Sequence, residues 1–113
     1  FCYVENAIQA NLLAATATQG DALNQVYNVA VGERTSLNDL FRQLRDKLAL
    51  DQPLIAGSQP VYRDFRSGDV RHSLADITRA QTLLGYAPTH DVSRGLAEAM
   101  NWYVARFAPA TLA

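Results

Sequence analysis

A short polar run from Arg66 to Ser73 carries the side chains with the clearest chemical potential. Arg66 and Asp69 stand three positions apart, on either side of the pair Ser67-Gly68. A guanidinium offers a planar fork of donors that fits a diphosphate, and a carboxylate can accept hydrogen bonds from two neighbouring hydroxyls. Gly68 permits the positive φ with which a backbone folds back around a ligand. The pattern predicts a clamp with an anion-binding end and a hydroxyl-binding end.

Each of these residues also has a purely structural interpretation. Arg66 could form a surface ion pair with Asp64 or Asp69, and exposed pairs of this kind contribute little to stability. Asp69 could instead cap the turn that follows Gly68. Taken alone, the residue types leave both a ligand clamp and a solvated turn open.

The remaining reactive side chains do not form a recognisable constellation. His72 and His90 each lack a second ligand three or four positions away, which favours solvated or packed histidines over a metal site. Cys2 lies in an apolar stretch and is predicted to be an inert buried thiol. Trp102 and Tyr103 are predicted to be core residues of a terminal helix. No catalytic residue can be assigned from the sequence.

Composition narrows the class of protein. At 113 residues the chain is at most one domain of common size. Ten lysines and arginines against eleven acidic residues give a net charge of −1, which argues against nucleic acid or a membrane surface as a partner. A single cysteine favours a reducing compartment, and the apolar runs are too short to span a bilayer. These features predict a cytoplasmic protein.

Hydrophobic periodicity and capping residues predict four helices. Asn6 is the expected N-cap of the first, and the others are expected to start at Ser36, at Asp76 and at Asp91 or Ser93. The predicted ranges run from 5 or 6 to 16, from 36 to 48, from 76 to 84 and from 91 or 93 to 107. Gly85, followed by an aromatic residue and a proline, predicts a Schellman-type stop for the third helix.

Three apolar segments predict short strands, at residues 1–4, 26–31 and 60–65. Alternation with the helices gives an α/β fold with few short strands and about four helices. Two or three short strands make a poor sheet on their own. We therefore expect a fragment, entered partway along a strand, or a domain that packs on something larger.

Five segments, in order, resemble the C-terminal third of the NAD-dependent sugar-nucleotide epimerases and dehydratases, which are extended short-chain dehydrogenase/reductases. The matching segments are Phe1-Cys2-Tyr3-Val4, Val26-Tyr27-Asn28-Val29 with Thr35-Ser36-Leu37, Arg66-Ser67-Gly68-Asp69, Leu74-Ala75-Asp76, and Leu84-Gly85-Tyr86-Ala87-Pro88. Within this family the greatest likeness is to the bacterial UDP-N-acetylglucosamine 4-epimerases. The resemblance implies that residues 1–113 form the C-terminal UDP-sugar-binding region.

The resemblance also implies roles for individual residues. Arg66 would contact the UDP diphosphate, Asp69 the uridine ribose, and Leu37 would make an apolar contact near the uracil. Ser73 occupies the position where family members restricted to unacetylated hexoses commonly carry a tyrosine beside the sugar. A serine leaves volume for an acetamido group, so the resemblance implies N-acetylhexosamine substrates.

By the same resemblance, the catalytic groups and the glycine-rich NAD-binding loop belong to an N-terminal Rossmann domain that this chain lacks. NAD is then the cofactor of the full-length enzyme, is not held by this chain alone, and the isolated chain is inactive. The implied partners are a UDP-sugar, the N-terminal domain and a second copy in a homodimer. Two alternatives stay open: another sugar-nucleotide dehydratase, decarboxylase or epimerase, and a non-catalytic binding or assembly module.

Overall fold

The computed structural model describes residues 1–70 and 72–107, so Arg71, inside the run from Arg66 to Ser73, lies outside the described residues. Four α-helices and two short 3-10 helices form the described chain. The α-helices are α1 (Val4–Thr16), α2 (Leu37–Leu48), α3 (Thr78–Leu84) and α4 (Val92–Phe107), and the 3-10 helices are Gly20–Ala22 and Pro53–Gly57. None of the helices in these ranges combines the length and apolarity that a bilayer crossing requires.

The predicted α/β class is wrong, because residues 1–70 and 72–107 contain no strand. The first predicted strand, residues 1–4, is absent: residues 1–3 are irregular, and α1 begins at Val4. The segments 26–31 and 60–65 are irregular. A strand needs a neighbouring strand with which its backbone groups form hydrogen bonds. An apolar alternation indicates which side chains are buried, but it does not show that such a neighbour is present.

The segment 26–31 shows what its apolar residues do instead. Tyr27, Val29 and Ala30 are partly buried and pack on the core as an irregular chain. The Ala30 carbonyl accepts a hydrogen bond of 2.8 Å from the Tyr86 hydroxyl. The hydrophobic pattern therefore correctly marks contact with a core, but not a strand.

The chain divides into two compact units. The first consists of Phe1–Arg34 and Gly68–Val92, and the second of Thr35–Ser67 with the part of α4 that starts at Ser93. In the first unit, α1 packs against α3, and α3 packs against the 3-10 helix Gly20–Ala22. Its core is a cluster of four buried side chains, Ala10, Ile77, Ala80 and Tyr86.

A buried asparagine ties the two segments of the first unit together. Asn6 is fully buried in the first turn of α1, so its predicted role as an N-cap is wrong. Its amide nitrogen donates to the His90 carbonyl at 2.7 Å. Its amide oxygen accepts from the backbone N–H groups of Thr89 at 2.9 Å and His90 at 3.2 Å. One side chain thus makes hydrogen bonds to three backbone groups of Thr89 and His90.

Helix α3 ends where the sequence predicts, at Gly85, but it begins at Thr78, two residues after the predicted start at Asp76, with Ile77 in the N-cap position. The Asp76 carboxylate accepts from the Thr78 N–H at 2.9 Å, and this hydrogen bond lowers the pKa of Asp76. Gly85 closes the helix in the left-handed conformation at φ +69°, which costs glycine nothing. The Gly85 and Tyr86 N–H groups donate to the Gln81 and Ala80 carbonyls, each at 3.1 Å.

In the second unit, α2 packs against the 3-10 helix Pro53–Gly57. Ser36 is its N-cap, as predicted, and its hydroxyl oxygen accepts from the Asp39 N–H at 3.1 Å. The apolar residues of α2 are at most half-buried. This helix has a capped start and an amphipathic pattern, but its apolar face is only partly covered within the unit.

Two predictions about individual side chains fail on exposure. Trp102 and Tyr103 are 60% and 52% exposed, so they are not core residues; α4 buries Gly95 and Met100 instead. Cys2 is also exposed rather than buried. In each case the residue type suggested burial, but the rest of the described chain leaves the side chain exposed.

Candidate functional site

The centre of the predicted clamp is a turn at Ser67-Gly68. Gly68 has φ +90°, the conformation predicted from its place in the motif. A Cβ added to Gly68 would meet no atom within 4 Å. The requirement for glycine therefore comes from the backbone conformation alone, since a side chain would have room but would be strained.

The two charged residues of the clamp lie on the surface. Arg66 is exposed near the end of the irregular segment of the second unit. Asp69 is exposed just after Gly68, in the first unit. Both side chains are exposed, with the turn at Ser67-Gly68 between them along the chain, and their roles toward a ligand stay predictions.

Ser73 is exposed in the first unit, between the turn and α3. The irregular stretch from 72 to 77 ends at the Asp76 cap, which fixes where α3 begins. A serine here presents a small polar side chain on a backbone that leads directly into the helix. The position is thus open to solvent.

Leu37 is the first residue of α2 and is 77% exposed. The start of this helix is held by Ser36, whose hydroxyl also donates to the Asp39 carboxylate at 2.5 Å. This hydrogen bond, with support from Arg42, lowers the pKa of Asp39. Leu37 is therefore an exposed apolar side chain on a well-capped turn, next to a carboxylate that is ionised at neutral pH.

Tyr62 belongs to the same surface, and the sequence analysis did not single it out. Its hydroxyl donates to the Asn38 side-chain oxygen at 3.1 Å, which ties the irregular segment to the first turn of α2. The residue is 73% exposed. The sequence did contain a clue, since Tyr62 is an aromatic residue four positions before Arg66. It was interpreted only as part of the predicted strand over 60–65.

A shallow cavity of about 210 Å³ lies elsewhere, in the first unit, near the ends of α1 and α3. Its walls include Leu13, Thr16, Thr18 and Leu84, and none of its lining residues is ionisable. None of the four predicted site residues lines it. Its lining combines apolar side chains with hydroxyl and amide groups, and it contains no cation that could neutralise a phosphate.

His90 is a packed rather than a solvated histidine. It is 3% exposed, and its ring lies 4.8 Å from that of Tyr3, centroid to centroid. Its Nδ1 lies 2.8 Å from the Thr89 hydroxyl, and its Nε2 lies 3.6 Å from a Glu5 carboxylate oxygen. These contacts orient the ring from both nitrogens.

Comparison with known proteins shows which enzymes this sequence is similar to. dTDP-L-rhamnose 4-epimerase of Burkholderia thailandensis is 29% identical over 91 residues, 80% of this chain and 23% of that enzyme. dTDP-glucose 4,6-dehydratase of Streptomyces griseus is 33% identical over 91 residues, 80% of this chain and 26% of that enzyme. The relatives are nucleotide-sugar epimerases and a dehydratase.

UDP-glucuronate 4-epimerase 4 of Arabidopsis thaliana is 26% identical over 117 aligned positions, 95% of this chain and 26% of that enzyme. The chain spans about a quarter of the length of these relatives. No family model matches the sequence. The predicted likeness to nucleotide-sugar epimerases and dehydratases is confirmed at this level, while a preference for N-acetylated sugars stays a prediction.

The residues of this chain do not fit a dinucleotide cofactor. Binding of a dinucleotide pyrophosphate at a helix N-terminus needs closely spaced glycines, so that the backbone can approach the phosphates. Gly85 and Gly95 are the nearest pair of glycines in the sequence and stand ten positions apart. No glycine loop leads into α1, α2 or α3, whose N-cap residues are Tyr3, Ser36 and Ile77.

Proposed function

We propose that residues 1–113 are the nucleotide-sugar-binding region of an NAD-dependent 4-epimerase that interconverts UDP-N-acetylglucosamine and UDP-N-acetylgalactosamine. The observation that carries the proposal is the exposed Arg66 and Asp69 on either side of a glycine turn at φ +90°, in a chain similar to nucleotide-sugar 4-epimerases. NAD and the catalytic groups would be supplied by residues outside this chain.

Arg66 provides the binding energy for the diphosphate. Its guanidinium can form two parallel charge-assisted hydrogen bonds to phosphate oxygens, which the point charge of a lysine cannot reproduce. The net charge of −1 leaves no broad positive field to attract the ligand, so a local contact must do so. Asp69 accepts hydrogen bonds from the ribose hydroxyls and fixes the orientation of the nucleoside.

Ser73 determines which sugars fit. Its side chain is short and exposed, so an acetamido group on the sugar meets no bulky neighbour from this position. A larger side chain here would occupy the same volume. This leads to a preference for N-acetylhexosamines that a single substitution should reverse.

The first test concerns Arg66 in the complete protein that contains this chain. Arg66→Ala should weaken UDP-sugar binding by about 1.5–3 kcal/mol per lost charge-assisted hydrogen bond, which is at least tenfold. Isothermal titration calorimetry measures the effect. Arg63→Ala is the matched control, since Arg63 is an exposed arginine on the same segment, and it should leave the affinity unchanged. Equal affinities for the wild type and Arg66→Ala would remove Arg66 from the site.

The second test concerns the sugar. Ser73→Tyr should lower kcat/KM for UDP-N-acetylglucosamine while sparing UDP-galactose, because only the acetamido group competes with the added ring. Ser73→Ala keeps the volume small and should leave both substrates unaffected. An equal loss on both substrates in Ser73→Tyr would contradict the space-filling argument.

A second candidate within the same class is a nucleotide-sugar dehydratase, because one of the relatives is dTDP-glucose 4,6-dehydratase. The nucleotide clamp would serve either reaction. Product analysis on the complete protein separates them, because epimerisation conserves the mass of the sugar whereas dehydration removes one water. A non-catalytic binding module would yield neither product and is tested by the same assay.

A further inference from the structure

We infer that Tyr62 forms an aromatic surface on which the nucleobase of the nucleotide sugar stacks, which makes it a further nucleotide-binding residue. This inference rests on the proposed function, because it assigns the base end of the ligand that Arg66 holds by its diphosphate. Tyr62, Leu37, Asn38 and Arg66 all belong to the second unit. The argument depends on how Tyr62 is tethered, on its neighbours and on its distance from Arg66.

The side chain of Tyr62 is both exposed and oriented. It is 73% exposed, yet its hydroxyl is anchored at 3.1 Å on the side-chain oxygen of Asn38. A hydrogen bond at the tip of the ring restricts the side chain without covering the ring face. Stacking on a ring that is already oriented costs less conformational entropy than ordering a mobile side chain.

The anchor brings the ring to the start of α2. Asn38 directly follows Leu37, which is 77% exposed and is the residue proposed to contact the base. An aromatic ring and an exposed leucine near one helix turn are the apolar surfaces that a flat pyrimidine needs. Every base has a π-face, and such stacking is effective without hydrogen-bond readout.

The distance along the chain suits one nucleoside diphosphate. Arg66 lies four positions after Tyr62, so their Cα atoms are separated by at most about 14 Å. Both side chains are long and exposed. Arg66 can therefore hold the diphosphate while the base of the same ligand reaches the Tyr62 ring.

The other tyrosines are already engaged. The rings of Tyr3 and Tyr103 lie against those of His90 and Trp102, at centroid distances of 4.8 and 5.0 Å. The hydroxyl of Tyr27 donates to the Ala22 carbonyl and that residue packs on the core, while Tyr86 is 2% exposed. Tyr62 is thus the most exposed of the five tyrosines, all of which lie in the described residues.

The experiment compares UDP with inorganic pyrophosphate, which has the charge but no base, on the complete protein. Tyr62→Ala should weaken UDP binding on the order of tenfold, the size of one base–aromatic stack, and leave pyrophosphate binding unchanged. Tyr62→Phe keeps the ring and should retain most of the UDP affinity. Val61→Ala, an exposed neighbour, is the matched control and should bind both ligands like the wild type.

The outcomes separate this inference from the function on which it rests. Unchanged UDP affinity in Tyr62→Ala, or an equal loss for UDP and pyrophosphate, would overturn the stacking role while nucleotide binding stands. Arg66→Ala should weaken both ligands, which marks the phosphate end independently. A wild-type protein that binds neither ligand would refute both proposals.

Discussion

In the first unit, Ile77, Ala80 and Tyr86 are each at most 7% exposed, whereas in the second unit Leu37, Leu54 and Tyr62 keep at least 73% of their surface. Four side chains of the first unit form one buried cluster, next to a buried asparagine with three backbone partners, while others such as Leu12 and Val26 stay exposed. The second unit begins α2 with a strong cap but buries no residue of that helix.

This difference in burial distinguishes residues that stabilise the fold from residues that are available to contact a ligand. Burial of apolar area and satisfied buried polar groups supply most of the folding free energy, and both are concentrated in the first unit. Exposed apolar and aromatic side chains on a capped helix turn supply contact area for something outside the unit. Substitutions of the buried residues of the first unit should therefore act on folding, and those of the exposed residues named in the second unit mainly on binding.

The largest expected effect is at Asn6. Asn6→Ala removes three hydrogen bonds to backbone groups, two of them buried, so the free energy of unfolding should fall by about 2–4 kcal/mol. Urea unfolding followed by circular dichroism measures it. Asn11→Ala is the matched control on the same helix, because Asn11 is exposed and bonds only locally, to the Ala7 carbonyl. Similar losses in the two variants would mean that burial does not distinguish them.

The next effect is at Gly85, which ends α3 at φ +69°. An added Cβ meets nothing within 4 Å, so Gly85→Ala should cost only the left-handed conformation, about 1–2 kcal/mol. Gly57→Ala, in the second unit, also has open space but no positive φ, and should change the stability by less than about 0.5 kcal/mol. The same unfolding assay applies, and a neutral Gly85→Ala would refute the conformational argument.

Tyr86→Phe and Tyr62→Phe compare one hydroxyl in each unit. Removing the Tyr86 hydroxyl leaves the Ala30 carbonyl unpaired and should cost about 1 kcal/mol. The Tyr62 hydroxyl bonds to exposed Asn38, where water can replace it, so its loss should cost less than about 0.5 kcal/mol. Equal costs would show that the two units protect their hydrogen bonds equally.

The buried hydroxyl of Tyr86 should make the stability of the fold decrease at high pH. Burial, with a smaller contribution from Cys2, raises its pKa from 10.0 to about 12, so the folded state favours the neutral phenol. The resulting stability is fully present below pH 10 and is lost as the pH rises from 10 through 12. Tyr86→Phe should remove this component, which unfolding midpoints measured from pH 8 to 11.5 would reveal. A midpoint that falls identically in the two proteins would contradict it.

The smallest effect is at Ser36. Ser36→Ala removes the N-cap of α2 and should cost about 0.5–1 kcal/mol, with less helix visible by circular dichroism. It should also weaken the pH dependence below pH 4, because the Ser36 hydroxyl lowers the pKa of Asp39 and that contribution is lost as the pH falls. Ser58→Ala is the control, since its N–H bond to Ile55 survives the change.

The helices could be predicted because their signals are local. Ser36 and Gly85 specify helix ends within four residues of chain, and the structure confirms both, while α3 begins two residues after the predicted start at Asp76. The strands could not be predicted, because the same apolar alternation at 26–31 serves to pack an irregular segment on a core. Whether such a segment pairs depends on a distant neighbour that the pattern does not contain.

The features of the candidate site also fall into two groups: those that a local motif predicts and those that depend on distant residues. The positive φ of Gly68 follows from its place in a turn, and its prediction is confirmed. The link from Tyr62 to Asn38 joins residues 24 positions apart, so no local motif signals it. The roles of Arg66, Asp69, Ser73 and Leu37 toward a ligand stay predictions. Their side-chain chemistry and exposure are compatible with those roles, but the ligand itself provides the missing half of each contact.

The hydrogen bonds of Asn6 have a consequence for biosynthesis. They join α1 to backbone groups 83 and 84 positions later, so this helix leaves the ribosome long before its partners exist. At 5–20 residues per second, the wait lasts roughly 4–17 s. During that time the apolar surface of the nascent helix has no permanent cover. The buried face of α1 can therefore close only after residue 90 has emerged.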